Sequence, residues 1–394
     1  MNPVHILLLI AAVLMCDSFG FSQTWTQTSA PSGLWEHIAA SADGCKVAAV
    51  QLFGGIYTST NSGGSWITNN PPDTNWFAIA TSADGNVISA AALDGSIFVS
   101  TNSGYNWRQA DVPAESWECI AASADGSKFA AVSYFNSSLS SVYLSTNYGA
   151  AWFPSLNAPA DEGWDAVASS ADGTKLIAVS YNSITSDDGG IYVTTNSGSS
   201  WMQADAPRYN WTSVCSSSDG GKSVAVANAG AVFVSTNYGI NWCQCDAPAS
   251  NWISVVSSAD GKKLTIVAGT INTFGPICTS SDSGTTWTLN ELLVSNWLSA
   301  ASSADGCKLF AGLSGGGIYA SQTMPSPELQ IASLSRQPVL FWTLPSKHFV
   351  LQESADLISW TDETNPPVLN PTNLQYQVML NLPNCRGFFR LKTP

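Results

Sequence analysis

Apolar and polar positions alternate along most of this chain in short stretches, and the alternation restarts on a regular beat. Seven times a tryptophan opens the same phrase, at Trp35, Trp76, Trp117, Trp164, Trp211, Trp252 and Trp297. Each Trp is followed by two variable residues, then Ile, Val or Ala, then small residues, and the phrase closes on Asp-Gly. Period-two alternation marks a strand with one buried face. Asp-Gly marks a hairpin, because Gly reaches positive φ without steric cost. An apolar run such as 46–51 and a β-branched and aromatic stretch such as 55–59 come next. A second phrase closes six of the units, as in Ser59-Thr60-Asn61-Ser62-Gly63-Gly64-Ser65-Trp66. Each unit therefore predicts four short strands, here called A to D. Asp-Gly forms the A-to-B turn, the second phrase forms the C-to-D turn, and its Trp begins strand D.

The spacings between successive A-strand tryptophans are 41, 41, 47, 47, 41 and 45 residues. A strand-rich repeat of that length predicts an all-β, seven-bladed β-propeller with one blade per unit. The seventh unit ends after strand C near 318–321, whereas Thr24-Trp25-Thr26 is a D-strand phrase with no C strand before it. Residues 23–29 are thus expected to complete the seventh unit and close the ring, pairing an otherwise open edge. The propeller is expected over 23–323. After a Pro-containing boundary, strand-like runs at 338–344, 348–354, 358–363, 374–380 and 387–392 predict a small β-sandwich over 328–394.

The second phrase resembles the Asp-box (BNR) motif, S-x-D-x-G-x-[ST]-W. Only Ser280-Ser281-Asp282-Ser283-Gly284-Thr285-Thr286-Trp287 fits it in full. The other copies place Asn61, Asn102, Asn147, Asn196 and Asn237 at the Asp position. An Asn carbonyl can still accept backbone N–H groups across a turn. The resemblance implies that the motif is structural and lies away from any active face. It extends to sialidase-like propellers and to the regular ring of the photosystem II assembly factor type, which is a non-enzymatic binding protein. The tail phrase FVLQESADLISW with a terminal GFFRL resembles an immunoglobulin- or fibronectin-III-like module of exported bacterial proteins, which implies a spacer or surface-attachment role.

Composition narrows the choice of function. The chain has 394 residues, 45% hydrophobic and 11% charged, with a formal net charge of −14. An acidic surface repels phosphate backbones, so nucleic acid is not the expected partner. The apolar run 6–15 followed by Gly20-Phe21-Ser22 reads as an export signal over 1–22, too short for a comfortable membrane span. The expected address is extracytoplasmic, in free or surface-attached form, and the expected state is a monomer. Eight of the nine Cys lie beyond the signal, at scattered repeat positions and without CxxC spacing. That pattern favours free or incidentally buried thiols over disulfides or a metal site. No motif implies a cofactor.

Candidate site residues sit where the repeat breaks its own rule. The B-to-C loops are longer in the third, fourth and sixth units, which points to Tyr134, Phe135, Tyr181, Asp187, Asp188 and Phe274 as a binding face. Directly after the A-strand Trp, three units carry Glu36, Glu118 and Asp165 where the others carry Phe77, Thr212, Ile253 and Leu298. Acids at the mouth of a central channel can bind a cation or act as acid and base. Sialidase chemistry needs an arginine clamp for the substrate carboxylate, and the propeller offers only Arg108 and Arg208. Three scattered His, at 5, 37 and 348, argue against a His-based triad or metal site. The expected function is non-catalytic: a scaffold holding a protein or polysaccharide on its loop face. A glycoside hydrolase of the Asp-box type is the alternative.

Overall fold

The computed structural model describes residues 24–322, except 70, 72–74, 135–141, 160–161, 182–188, 229 and 271–272, together with the tail strands between 330 and 392. Two compact units result, one spanning Gln23–Gln322 and the other holding the tail. All regular structure in the described residues is β-strand.

The first unit is a β-propeller. Its A strands are Gly33–Ala40, Trp76–Thr81, Trp117–Ala122, Trp164–Ser169, Trp211–Ser216, Trp252–Ser257 and Trp297–Ser302. From the second repeat to the sixth, each A strand starts its own four-stranded antiparallel sheet in the order A-B-C-D. The remaining strands form one eight-stranded sheet. In it the long strand Lys308–Gly316 pairs with Trp297–Ser302 on one side and meets the start of Gly33–Ala40 at its far end. The N-terminal strand Trp25–Gln27 pairs with Ile318–Gln322, placing Trp25 opposite Ser321 and Gln27 opposite Tyr319. The N-terminus therefore supplies the outer strand that the seventh repeat lacks.

Packing follows from the alternation. Every A-strand Trp is fully buried, at 0% exposure. In six repeats it packs against a C-strand aromatic, as in Trp76–Phe98 at 5.6 Å and 77° and Trp164–Tyr192 at 5.3 Å and 75°. Such edge-to-face pairs add to the gain from burial. The sixth repeat has Cys278 at that C-strand position, and it is wholly buried. B strands such as Ile88–Ala92 and Leu176–Ser180 are buried along their whole length. They lie between neighbouring sheets, which explains why they read as continuous apolar runs rich in Ala and Val.

The two turn phrases share one end of the disc and carry a repeated hydrogen-bond unit. In the A-to-B turn of the first repeat, the Ser41 hydroxyl donates to Asp43 at 2.6 Å and accepts the Lys46 N–H at 2.9 Å. The Asp43 carboxylate accepts the Cys45 N–H at 2.9 Å. The turns are also linked to one another. Ala42 N–H donates to Ala83 O, and the series continues through Ala124, Ala171, Ser218, Ala259 and Ala304 back to Ala42, each bond 2.7–2.8 Å long. This closed ring of backbone hydrogen bonds staples that end. Gly85 shows why the turn glycine is required: its φ is +67°, and a Cβ there would lie 2.7 Å from the Lys46 stem.

The Asn and Asp copies of the second phrase behave alike. Asn61 accepts from the Ser59 hydroxyl at 3.0 Å and from the Ser65 N–H at 2.8 Å. Asp282 accepts from Ser280 at 2.8 Å and from the Thr286 N–H at 2.9 Å. The residue after each is left-handed, as at Ser62 (φ 56°) and Ser283 (φ 61°). The Ser62 N–H donates to Cys45 O at 2.8 Å, tying the C-to-D turn to the A-to-B turn.

The tail forms two sheets. One has the order 330–334, 337–343, 375–379, 368–370, and the other 361–362, 350–354, 388–392. Strands Gln330–Leu334 and Val368–Asn370 were not expected from the sequence. The seven described cysteines are free thiols. Among the described residues no helix is long and apolar enough to cross a membrane.

Candidate functional site

The end of the ring opposite the turns is built differently. In each A strand the Trp pairs at or near the far end of its B strand, as in Trp117↔Ser133 and Trp164↔Ser180. The register then slips by one residue in every repeat, between Trp35 and His37, Trp76 and Ala78, Trp117 and Cys119, and likewise through Trp297 and Ser299. The bulged residue is always the one directly after the Trp. A bulge leaves its extra residue outside the ladder and re-aims its side chain. Glu36, Phe77, Glu118, Asp165, Thr212, Ile253 and Leu298 all line one central cavity of about 700 Å³ as a result. The sequence located these seven positions as irregular in chemistry, but the bulge that turns them inward was not legible there.

Two of the loop candidates join them. Tyr134 and Tyr181 follow the B strands of the third and fourth repeats and also line the cavity. Their backbones are fixed by Tyr134 N–H to Ser116 O at 2.8 Å and Tyr181 N–H to Gly163 O at 2.7 Å. The third and fourth repeats therefore each bring one acid and one tyrosine to the same wall. Asn228 occupies the corresponding place in the fifth repeat and lines the cavity too.

Phe274 does not belong to this group. It is 71% exposed and pairs with Gly269, and Thr270 pairs with Thr273, so the described residues of this longer segment continue the B and C strands of the sixth repeat. Phe274 therefore stands on the extended part of strand C and is not among the residues that line the cavity. Phe135, Asp187 and Asp188 lie outside the described residues.

The electrostatics of the mouth are uneven. Glu36, Glu118 and Asp165 are each only partly exposed. Burial pushes the Glu36 carboxyl up to about 7 and Asp165 up to about 7. Burial, followed by repulsion from Asp165, Glu36 and Asp94, pushes Glu118 up to about 8. Among the described residues no Lys or Arg lines the cavity. His37 also faces it. Its Nδ1 is 2.9 Å from Ile79 O and 3.4 Å from Ile79 N, and burial lowers its pKa and keeps it neutral near pH 7. The opposite arc carries Thr212, whose hydroxyl donates to Trp252 O at 2.8 Å, and the apolar Ile253 and Leu298. Ser254 lies on that arc, largely buried and lining the cavity. Cys119 and Cys215 also line it, and burial pushes their thiols up to about 11 and about 12, so both stay protonated. Among the described residues no three His, Cys, Asp or Glu stand close enough together to hold one metal ion.

Comparison with known proteins identifies the fold. No family model matches the chain, and no curated protein matches its sequence. Among solved structures, the ring is similar to "YCF48 bound to D1 peptide", with a TM-score of 0.56 and 15% identity over 77% of this chain and 97% of that one. It is also similar to YCF48 from Cyanidioschyzon merolae, with a TM-score of 0.58 and 14% identity over 76% of this chain and 98% of that one. At these identities the likeness is one of fold, the β-propeller.

Proposed function

We propose that this chain is an exported, non-catalytic binding scaffold that holds a protein partner at the bulge end of its ring. The observation that carries this reading is the contrast between the two ends. One end is consumed by the repeated turn hydrogen bonds and the closed backbone ring. The other gathers Glu36, Glu118, Asp165, Tyr134 and Tyr181 around a cavity of about 700 Å³. That volume falls in the usual range of ligand sites, about 300–1,000 Å³.

The wider reading is a seven-bladed ring closed by its N-terminal strand, with Asp-box-like turns as scaffold. An export signal precedes it, and a small sandwich of immunoglobulin or fibronectin-III type follows as spacer or surface attachment. The seven cavity-lining A strands and the pairing of Trp25 with Ser321 support the ring, and the two tail sheets support the sandwich. A protein ligand rather than a polysaccharide is favoured because a structurally similar ring, YCF48, is named as bound to a peptide.

The test is binding of the protein to mixed-charge peptide arrays and glycan arrays. Tyr134→Ala and Tyr181→Ala should each weaken the captured peptide signal at least fivefold. Tyr105→Ala and Tyr238→Ala, on exposed C-to-D turns, should leave it unchanged. A peptide signal lost only in the turn variants would place the site on the wrong end.

One observation favours a second reading, the glycoside hydrolase. Glu118 is held largely protonated at neutral pH beside the carboxyl of Asp165, the kind of pairing that supplies a general acid and a base. Glycan turnover abolished by Glu118→Gln would establish catalysis in place of simple binding.

A further inference from the structure

The cavity mouth has a chemistry that narrows its ligand. Three carboxyl groups from the first, third and fourth repeats converge on it, with no Lys or Arg among the described lining residues to balance them. Confining unbalanced acids costs free energy, and here the cost appears as proton retention. A cation entering the mouth would relieve it. Among the described residues no three acids stand close enough to hold one metal ion, so an extended cation that reaches several of them suits the mouth better. The rest of the wall suits an amphipathic side chain. Phe77, Ile253 and Leu298 offer apolar surface for methylenes. Tyr134 and Tyr181 offer rings over which a guanidinium or ammonium group is attracted. On the far arc the Ser254 side chain also lines the cavity, where its hydroxyl can meet a polar group of the ligand.

We propose that the ligand is a basic peptide segment of the partner protein, which inserts Arg or Lys side chains among Glu36, Glu118 and Asp165 and lays their stems on Phe77, Ile253 and Leu298. This rests on the reading of the ring as a protein-binding scaffold and adds the charge and shape of what is bound.

The groups facing the inserted cation are Glu36, Glu118, Asp165, nearby Asp94, His37, Tyr134, Tyr181 and the thiols of Cys119 and Cys215. His37 is neutral, so it offers no competing charge, and the thiols stay protonated. Binding must ionise carboxyls that hold protons in the free ring. Protons are therefore released on binding near pH 7, and affinity rises with pH from 6 to 8, by up to about tenfold per pH unit for each linked proton.

The experiment is fluorescence anisotropy of labelled nonapeptides with the full chain, in three matched sets bearing Arg and Lys, Gln, or Glu. Spermidine and calcium chloride serve as competitors. The basic set should bind at least tenfold more tightly than the Gln set and lose at least tenfold with the E36Q/E118Q/D165N triple variant. It should be unaffected by Asp246→Asn, which changes an acid elsewhere. Titration calorimetry in buffers of different ionisation enthalpy should show proton release. Basic peptides binding no better than Gln peptides overturns the proposal, as does tight binding that survives the triple variant. Calcium competing at micromolar concentration assigns the mouth to a metal and also overturns it. Preference for neutral or acidic peptides, abolished by Tyr134→Ala, overturns the charge inference while the scaffold reading stands. Turnover of a glycan with no peptide binding removes the scaffold reading itself.

Discussion

At the scale of single residues, two sets of acids in this chain pull stability in opposite directions. The turn acids, such as Asp43, Asp84 and Asp282, accept hydrogen bonds from Ser or Thr hydroxyls and backbone N–H groups, which lower their pKa, that of Asp282 to about 2. A carboxyl whose folded pKa is lowered stabilises the fold above its unfolded value and loses that contribution as pH falls through the folded value. The mouth acids are the reverse. Glu36, Glu118 and Asp165 sit at about 7, about 8 and about 7 when folded. Between the unfolded value near 4 and these values, the folded state holds more protons than the unfolded one, so stability declines as pH rises. Glu118→Gln removes one such group while keeping its size and a hydrogen-bonding head. Its melting temperature should exceed that of the parent at pH 8.5 and converge with it at pH 4.5. Paired thermal melts across that range measure this, and a constant offset at both pH values would contradict it.

At the scale of the element, most of the architecture was legible in the sequence, and the missing part has a clear physical origin. Strands and turns follow from local chemistry. Apolar runs, Asp-Gly and the Ser-x-Asn-x-Gly phrase act over a few residues, so the strands expected at 46–51 and 55–59 match the observed Val47–Leu52 and Ile56–Ser59 to within one residue. The bulge after each Trp was not legible, because it depends on a partner strand about sixteen residues away. The same holds for the stitched ring of Ala42, Ala83 and their counterparts, which joins turns of successive repeats. Of the candidate site, Glu36, Glu118, Asp165, Tyr134 and Tyr181 were reachable as breaks in the repeat. His37 and Ser254 were not, since only the bulge directs this stretch of strand toward the cavity. Phe274 stands apart from the cavity, and the sequence did not show this because added length in a repeat reads the same in a loop as in longer strands. The turn itself is testable. Asn61→Asp recreates the full Asp-box and keeps the acceptor, so urea midpoints should move little. Asn61→Ala deletes the acceptor for Ser59 and for the Ser65 N–H and should cost about 1–2 kcal/mol.

At the scale of the whole molecule, the ring depends on a contact between the ends of its own chain. Units two to six each complete a sheet from contiguous sequence, whereas Ile318–Gln322 must wait for Trp25–Gln27, from the far end of the ring's sequence. The junction is also covered by side chains. Trp25 lies 6.4 Å from Trp297. The long Lys308–Gly316 strand reaches the start of the first A strand, where Trp35 Nε1–H donates to Gly316 O at 3.0 Å. A disc of otherwise nearest-neighbour repeats would open from its ends, so this closing strand turns many weakly coupled sheets into one cooperative unit. Deleting residues 24–27 should therefore do more than remove the burial of one tryptophan. Hydrogen exchange should accelerate first in the first and seventh repeats, and the urea transition should broaden, its slope falling as the two repeats uncouple from the rest. Returning the same four residues after Gln322, through a short turn that copies the sequence of 60–65, should restore a single sharp transition, because the strand then reaches its partner without crossing the chain. If the deletion instead shifts the midpoint with an unchanged slope and uniform exchange, the ring holds together through its stitched turns, and the N-terminal strand is an ornament of its edge rather than its clasp.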